Sequence, residues 1–376
     1  MCSHCGEEVI RSERLGYLPT IDGWRAVAIL LVVFCHLTLP WSWFSELHDY
    51  GKLGVDLFFG ISGLLITSRL ISEHEATSRI CLKKFYLRRA FRILPAAFAY
   101  LMVVALLTAA GVFRVHPVDL LAGVFFFANY VHPTLPYFWY VGHFWSLSVE
   151  EHFYILWPGS LRVVGVRFGM VLSVGLAVAF AAWRMMDSHY HWVSASWLVG
   201  NSARSDYRAD ALLWGCAAAF ALQSRVIKNL LSRLLPVFWP GLGVVAIGLL
   251  SVFHPRGYIP LIALVVPTLI VYTLLHPARI TGKLLETPIL RRIGRLSYSL
   301  YLWQQLFLTS HEWLPRPSVF QRVPLNIALV LVFAYLSYRF VERPCIAFGN
   351  RMIDGISREK SIRAVAGEPA LEVVPG

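Results

Sequence analysis

Residues 143–157 read HFWSLSVEEHFYILW: two adjacent carboxylates, Glu150 and Glu151, and His152 stand in a run that is otherwise mostly aromatic and aliphatic. A carboxyl group withdrawn from water can donate, accept or orient a proton. On a helix the two acids point about 100° apart, so at most one faces a given polar cavity, and spacing leaves open which. Trp145, Ser148 and Glu150 come early in this segment, in its outer half, which places Glu150 near the depth of His36. Upstream, DGWRAVAILLVVFCHLTLPW carries Arg25 and His36. Eleven helical residues bring them within about 20° of one face, roughly 16 Å apart along the axis. The bland alternative is a snorkelling arginine and a hydrogen-bonded core histidine. The next apolar stretch, GVDLFFGISGLLIT, opens with Asp56. A short connection would set it beside His36, where a carboxylate fixes the imidazole tautomer; a helix-start aspartate steadied by the dipole is the alternative. In RICLKKFYLRRAFRILPA, Arg89 and Arg92 share a face, and guanidinium forks suit phosphate. Ordinary basic anchoring would look the same.

What must position these groups is a set of apolar helices. Of 376 residues, 57% are hydrophobic and 15% charged, with mean hydropathy +0.59; soluble domains carry about 25% charged residues. The sequence predicts an all-α, polytopic membrane helix bundle with about ten transmembrane helices at 22–41, 54–72, 93–113, 143–161, 168–186, 208–222, 235–253, 258–275, 296–313 and 323–341. The apolar stretch 119–131 is short for a crossing and is read as re-entrant. Gly54, Gly60 and Gly63 mark close helix contact rather than chemistry. The expected organisation is a cytosolic tail over 1–20, one integral membrane domain over 21–345 and a flexible cytosolic tail over 346–376. The first apolar run follows a polar N-terminus and is read as a retained helix, not a cleaved leader. Cys2 and Cys5 form a lone C-x-x-C without a second ligand pair, so no metal site is expected.

Charge placement sets the orientation. Of 34 basic residues, eight fall in the predicted outer segments and 26 inside, as the positive-inside tendency requires when both termini are cytosolic. The net charge of +12 therefore belongs to short inner loops that meet anionic lipid headgroups. Nucleic-acid binding, which needs a basic face on a soluble module, is not expected.

Taken together, the motifs resemble the acyltransferase-3 family of membrane O-acyltransferases, which move acyl groups onto cell-surface carbohydrates and related acceptors. The family's basic residue, ten residues and histidine match Arg25 and His36. Its GVDLFF pattern matches Gly54–Phe59 with Asp56, its R-x-x-R matches Arg89 and Arg92, and its WSL-x-VE matches Trp145–Glu150, which selects Glu150 over Glu151. The likeness continues in RADALLWGCAAA, GRLSYSLYLWQQ and YRFVERP, and covers residues 17 to about 348. Gln304 departs from it, because many relatives have histidine after YLW.

The resemblance implies transfer of an acyl group, expected to be acetyl, from acyl-CoA to a hydroxyl of an extracytoplasmic carbohydrate or glycolipid at a bacterial plasma (inner) membrane, without a tightly bound cofactor. His36 would be the general base, oriented by Asp56, with Glu150 supporting proton transfer. Arg25, Arg89 and Arg92 would bind the donor, and Trp145 and Ser148 would lie on the acceptor side. Direct transfer and an acyl-enzyme relay both remain open. Rival readings are a proton-coupled transporter or flippase of an envelope glycan intermediate, which buried ionisable residues would also serve, and a non-catalytic partner subunit.

Overall fold

The protein is described by a computed structural model over residues 18–37, 51–131, 138–190, 203–253, 258–308 and 318–366. The described residues are helices, turns and loops, with no strand among them. Along the chain they form α1 (Pro19–His36), α2 (Gly51–Thr77), α3 (Leu82–Ala109), α4 (Pro117–Val124), α5 (Phe144–Val164), α6 (Gly169–Tyr190), α7 (Ser205–Gln223), α8 (Arg225–Leu234), α9 (Trp239–Phe253), α10 (Tyr258–Leu275), α11 (Pro288–Phe307), α12 (Leu325–Ser337) and α13 (Arg343–Ala366). Each of the ten expected spans holds a helix. The C-x-x-C lies outside the described residues.

Among the described residues six helices are long and apolar enough to cross a membrane, or seven if α8 and α9, bent by 77°, form one broken span. The expected ten is therefore not reached by length and composition. α5, α7 and α11 fall short because each carries charge: Glu150 and Glu151 in α5, Asp206, Arg208 and Asp210 in α7, and Arg291, Arg292 and Arg295 in α11. All three are lined by other helices over much of their length, and a helix sheltered by protein needs no continuous apolar surface. By contrast α9 and α12 expose Leu242, Val245, Leu249, Leu331 and Val332 outward, as a lipid-facing surface would. Such apolar helices make this an integral membrane protein.

Small residues set the register of the central helices. Gly51 lies against Cys35, and Gly54 against Val32 and the Ala28 backbone, fixing α2 antiparallel to α1. On its other face, Gly63 of α2 abuts Leu212 while Gly215 of α7 abuts Gly60, contacts that any side chain would obstruct. Gly294 brings α11 onto the Asp22 backbone of α1. An ion pair and a hydrogen bond tie α6 to α7: Arg184 meets Asp210 at 2.6 Å, and Trp183 Nε1 donates to Asp206 Oδ2 at 2.8 Å.

Two further segments take a definite form. The stretch 119–131 is the eight-residue α4 followed by a 3₁₀ turn at Ala128–Tyr130; α4 is about 12 Å long, far short of a bilayer core. At the C-terminus, α12 passes through a π-helical turn, Tyr338–Glu342, into α13, which runs well into the stretch expected to be a tail from 346. Phe348 and Gly349 pack on Phe91, and Ile353 is buried, giving this helix an apolar stripe to dock.

Candidate active site

Two polar clusters lie along α1, one at its Arg25 end and one at its His36 end. At the Arg25 end the structure brings together four of the expected residues. Arg92 lies in the electrostatic field of Arg25, Arg89 and Glu342, and Arg25 in that of Asp22, Glu342, Arg89 and Glu150. Arg89 reaches across to Glu150, Nη2 to Oε2 at 3.7 Å, and its guanidinium stacks 3.6 Å from the centre of the Tyr154 ring. Ser62 Oγ donates to Glu150 Oε1 at 2.8 Å. Arg89 Nε is buried with no hydrogen-bond partner. Three guanidinium groups within one another's field repel, an arrangement that suits an anionic ligand.

Glu150 was expected near the depth of His36. It sits instead on Arg89, because it lies seven residues beyond His143, about 10 Å along the helix. Glu151 has one carboxylate oxygen buried without a partner, in the field of Arg89 and Glu150. His152 turns away: its Nδ1 pairs with Ser205 Oγ at 2.7 Å, fastening α5 to the start of α7.

At the other end, His36 is half-buried. Its Nδ1 lies 2.8 Å from the Val32 carbonyl, and its ring meets Trp139 edge-on at 5.5 Å. A carbonyl only accepts, so Nδ1 carries the proton and Nε2 is the basic nitrogen of the neutral ring. Trp139 is itself held: its Nε1 donates to Gln305 O at 3.0 Å, and Gln305 Nε2 returns a bond to Trp139 O at 2.9 Å.

Asp56 is held by Arg208, which donates from Nη1 to Oδ1 at 3.1 Å with both side chains almost wholly buried. The register explains why its ion pair goes there. With Gly51 opposite Cys35 and Gly54 opposite Val32, Asp56 lies level with about residue 30, some 9 Å along the axis from His36. α2 begins at Gly51, so Asp56 is not at the helix start. Trp145 stands between the Phe59 ring, at 6.2 Å, and the Arg208 guanidinium, at 5.4 Å. Ser148 donates to Phe144 O at 2.8 Å and accepts from Ala128 N at 3.2 Å, fastening the turn after α4 to α5.

Sequence reasoning left Glu342 and His143 unassigned. Glu342 is buried in the π-helical turn, where Ser299 Oγ donates to it at 3.0 Å; the quoted YRFVERP contained it, but only the fold carries it to Arg25 and Arg92. π-turns often mark functional positions. His143 opens the quoted run, whose spacing alone gives it no partner.

A family model described as an acyltransferase domain matches residues 18–339. The chain is 30% identical over 379 residues to the O-acetyltransferase OatA of Staphylococcus aureus (strain MRSA252), covering 92% of this chain and 60% of that protein. It is 29% identical over 366 residues to the peptidoglycan O-acetyltransferase OatA of Listeria monocytogenes serovar 1/2a, covering 87% and 56%. The chain thus spans under two thirds of the length of these relatives. No solved structure matches it.

Proposed function

The chain belongs to the acyltransferase-3 family, and on that premise we propose that it is a membrane O-acetyltransferase taking an acetyl group from cytosolic acyl-CoA to a hydroxyl of an extracytoplasmic carbohydrate. The observation that carries this reading is the pairing of two chemistries on one face of α1: a guanidinium cluster at Arg25 and an imidazole at His36, about 16 Å apart. The first suits an anionic, phosphate-bearing donor; the second suits a base for an acceptor arriving from the opposite side. The relatives named for O-acetylation, one of them of peptidoglycan, support a glycan as the acceptor.

In this mechanism Arg25, Arg89 and Arg92 hold the donor's phosphates and admit its pantetheine arm. His36 Nε2 takes the proton of the acceptor hydroxyl as its oxygen attacks the thioester carbonyl; the carbon–sulfur bond breaks and the proton passes to the departing thiolate. Glu150 keeps Arg89 in place, and the Asp56–Arg208 pair steadies α2 against α7 behind the site. The reading takes α5, α7 and α11 as further crossings sheltered within the bundle, giving about ten in an inner membrane with both termini cytosolic.

The test is vectorial. Protein reconstituted in vesicles, with labelled acetyl-CoA on one side and a glycan such as peptidoglycan fragments on the other, should deliver label as an ester to the far side. Movement of intact glycan without ester formation would refute the proposal in favour of a flippase.

A further inference from the structure

The His36 end contains a polar side chain that the mechanism above leaves unused. His143 is 5% exposed, and both of its ring nitrogens are buried with no hydrogen-bond partner. The rings of Tyr100, Phe144 and Tyr301 surround it at 5.1, 5.0 and 5.5 Å, each edge-on. Its backbone is fixed, because His143 O accepts from Tyr301 OH at 3.0 Å and from Ser146 Oγ at 3.3 Å. The ring is thus held firmly while its hydrogen-bonding atoms meet no protein group. Apolar side chains of similar size would fill such a place without leaving donors and acceptors unmet.

A second unmet group stands one helical turn from Tyr301. Gln304 is fully buried; its Nε2 donates to Gln305 Oε1 at 2.9 Å, while its Oε1 has no partner. Gln305 holds Trp139, the ring that His36 touches, and His143 lies in the electrostatic field of His36. Unpaired polar atoms therefore stand at the start of α5 and on α11, the helix whose Gln305 holds the Trp139 ring that touches the proposed base.

We infer that His143 binds the carbonyl oxygen of the acyl group in transit, an inference that rests on the O-acetyltransferase reading. A neutral imidazole offers one N–H donor. As the acceptor oxygen bonds to the carbonyl carbon, the C=O π pair moves onto oxygen, and the His143 N–H stabilises that oxyanion. When the carbon–sulfur bond breaks, the pair returns to re-form the carbonyl, and His143 keeps its proton throughout.

The experiment compares His143→Phe and His143→Gln with wild type in the reconstituted transfer assay, with thermal unfolding followed in parallel. Removing one oxyanion donor lowers kcat by about 10²–10³-fold. His143→Phe should show that loss with KM for acetyl-CoA unchanged and with thermal stability equal to or above wild type. His143→Gln, whose amide still donates, should regain part of the rate. Wild-type kcat in His143→Phe overturns the inference, as does equal loss in both variants accompanied by lowered stability, which would mark a packing role. Wild type that acylates no glycan would instead bring down the functional reading, and this inference with it.

Discussion

Glu150 and Arg89 face each other from α5 and α3, Oε2 to Nη2 at 3.7 Å, with Ser62 on the other carboxylate oxygen. The acid selected by the WSL-x-VE motif thus belongs to the arginine end of the bundle. In the proposed mechanism it holds a guanidinium in place there, so its loss should register first on the donor.

Glu150→Gln keeps the volume and the contact with Ser62 but removes the charge that faces Arg89. Transfer should fall severely, with acyl-CoA binding weakened about ten- to hundredfold, the worth of one charge-assisted hydrogen bond. Glu151→Gln should be mild. Glycan acylation at matched membrane abundance checks the ranking; the reverse order would make Glu151 the acid that matters.

His36→Ala should abolish transfer while leaving membrane insertion intact, since a small apolar residue suits a span. Loss of a general base lowers rate by about 10²–10⁴-fold. Acyl-CoA binding by this variant should be unchanged, because His36 stands at the far end of α1 from the guanidinium cluster. Wild-type-like turnover would remove His36 from the mechanism.

Replacing Arg89 or Arg92 with Gln should raise the requirement for acyl-CoA more than that for the acceptor. Steady-state kinetics with each substrate varied in turn measures the split. If donor binding is untouched in both variants, the pair is only a topological anchor.

Asp56→Asn takes from buried Arg208 the carboxylate it donates to, leaving Asp210 as the nearby acid, and should destabilise the protein by up to about 3–5 kcal/mol. Replacing both residues, Asp56→Leu with Arg208→Met, should recover most of that stability in thermal unfolding. A double variant no more stable than Asp56→Asn would show that the pair does not act as a unit.

The sequence by itself determined the helices. Hydropathy and length located a helix at each of ten expected segments, and α10 matches its expected 258–275 to the residue. The residue types also named Arg25, Arg89 and Arg92, which gather at one end of the bundle, whereas Glu150 joins them there although its place in the segment pointed to the His36 end. Helix formation is local, set by hydrogen bonds four residues apart and by apolar composition, so a linear reading reaches it.

Which charge meets which was decided only by the tertiary structure. Asp56 finds Arg208 because Gly51 and Gly54 fix the register of α2 on α1 and Gly63 and Gly215 fix it on α7. Glu342 reaches the arginines from a π-turn, 342 − 92 = 250 residues after the last of them in sequence. His143 acquires meaning only once Tyr100 and Tyr301 enclose it. Such partners are set by how far one helix slides and rotates against another. A shift of one turn, about 5.4 Å, would exchange every pairing while leaving each helix, and the hydropathy that specifies it, unchanged.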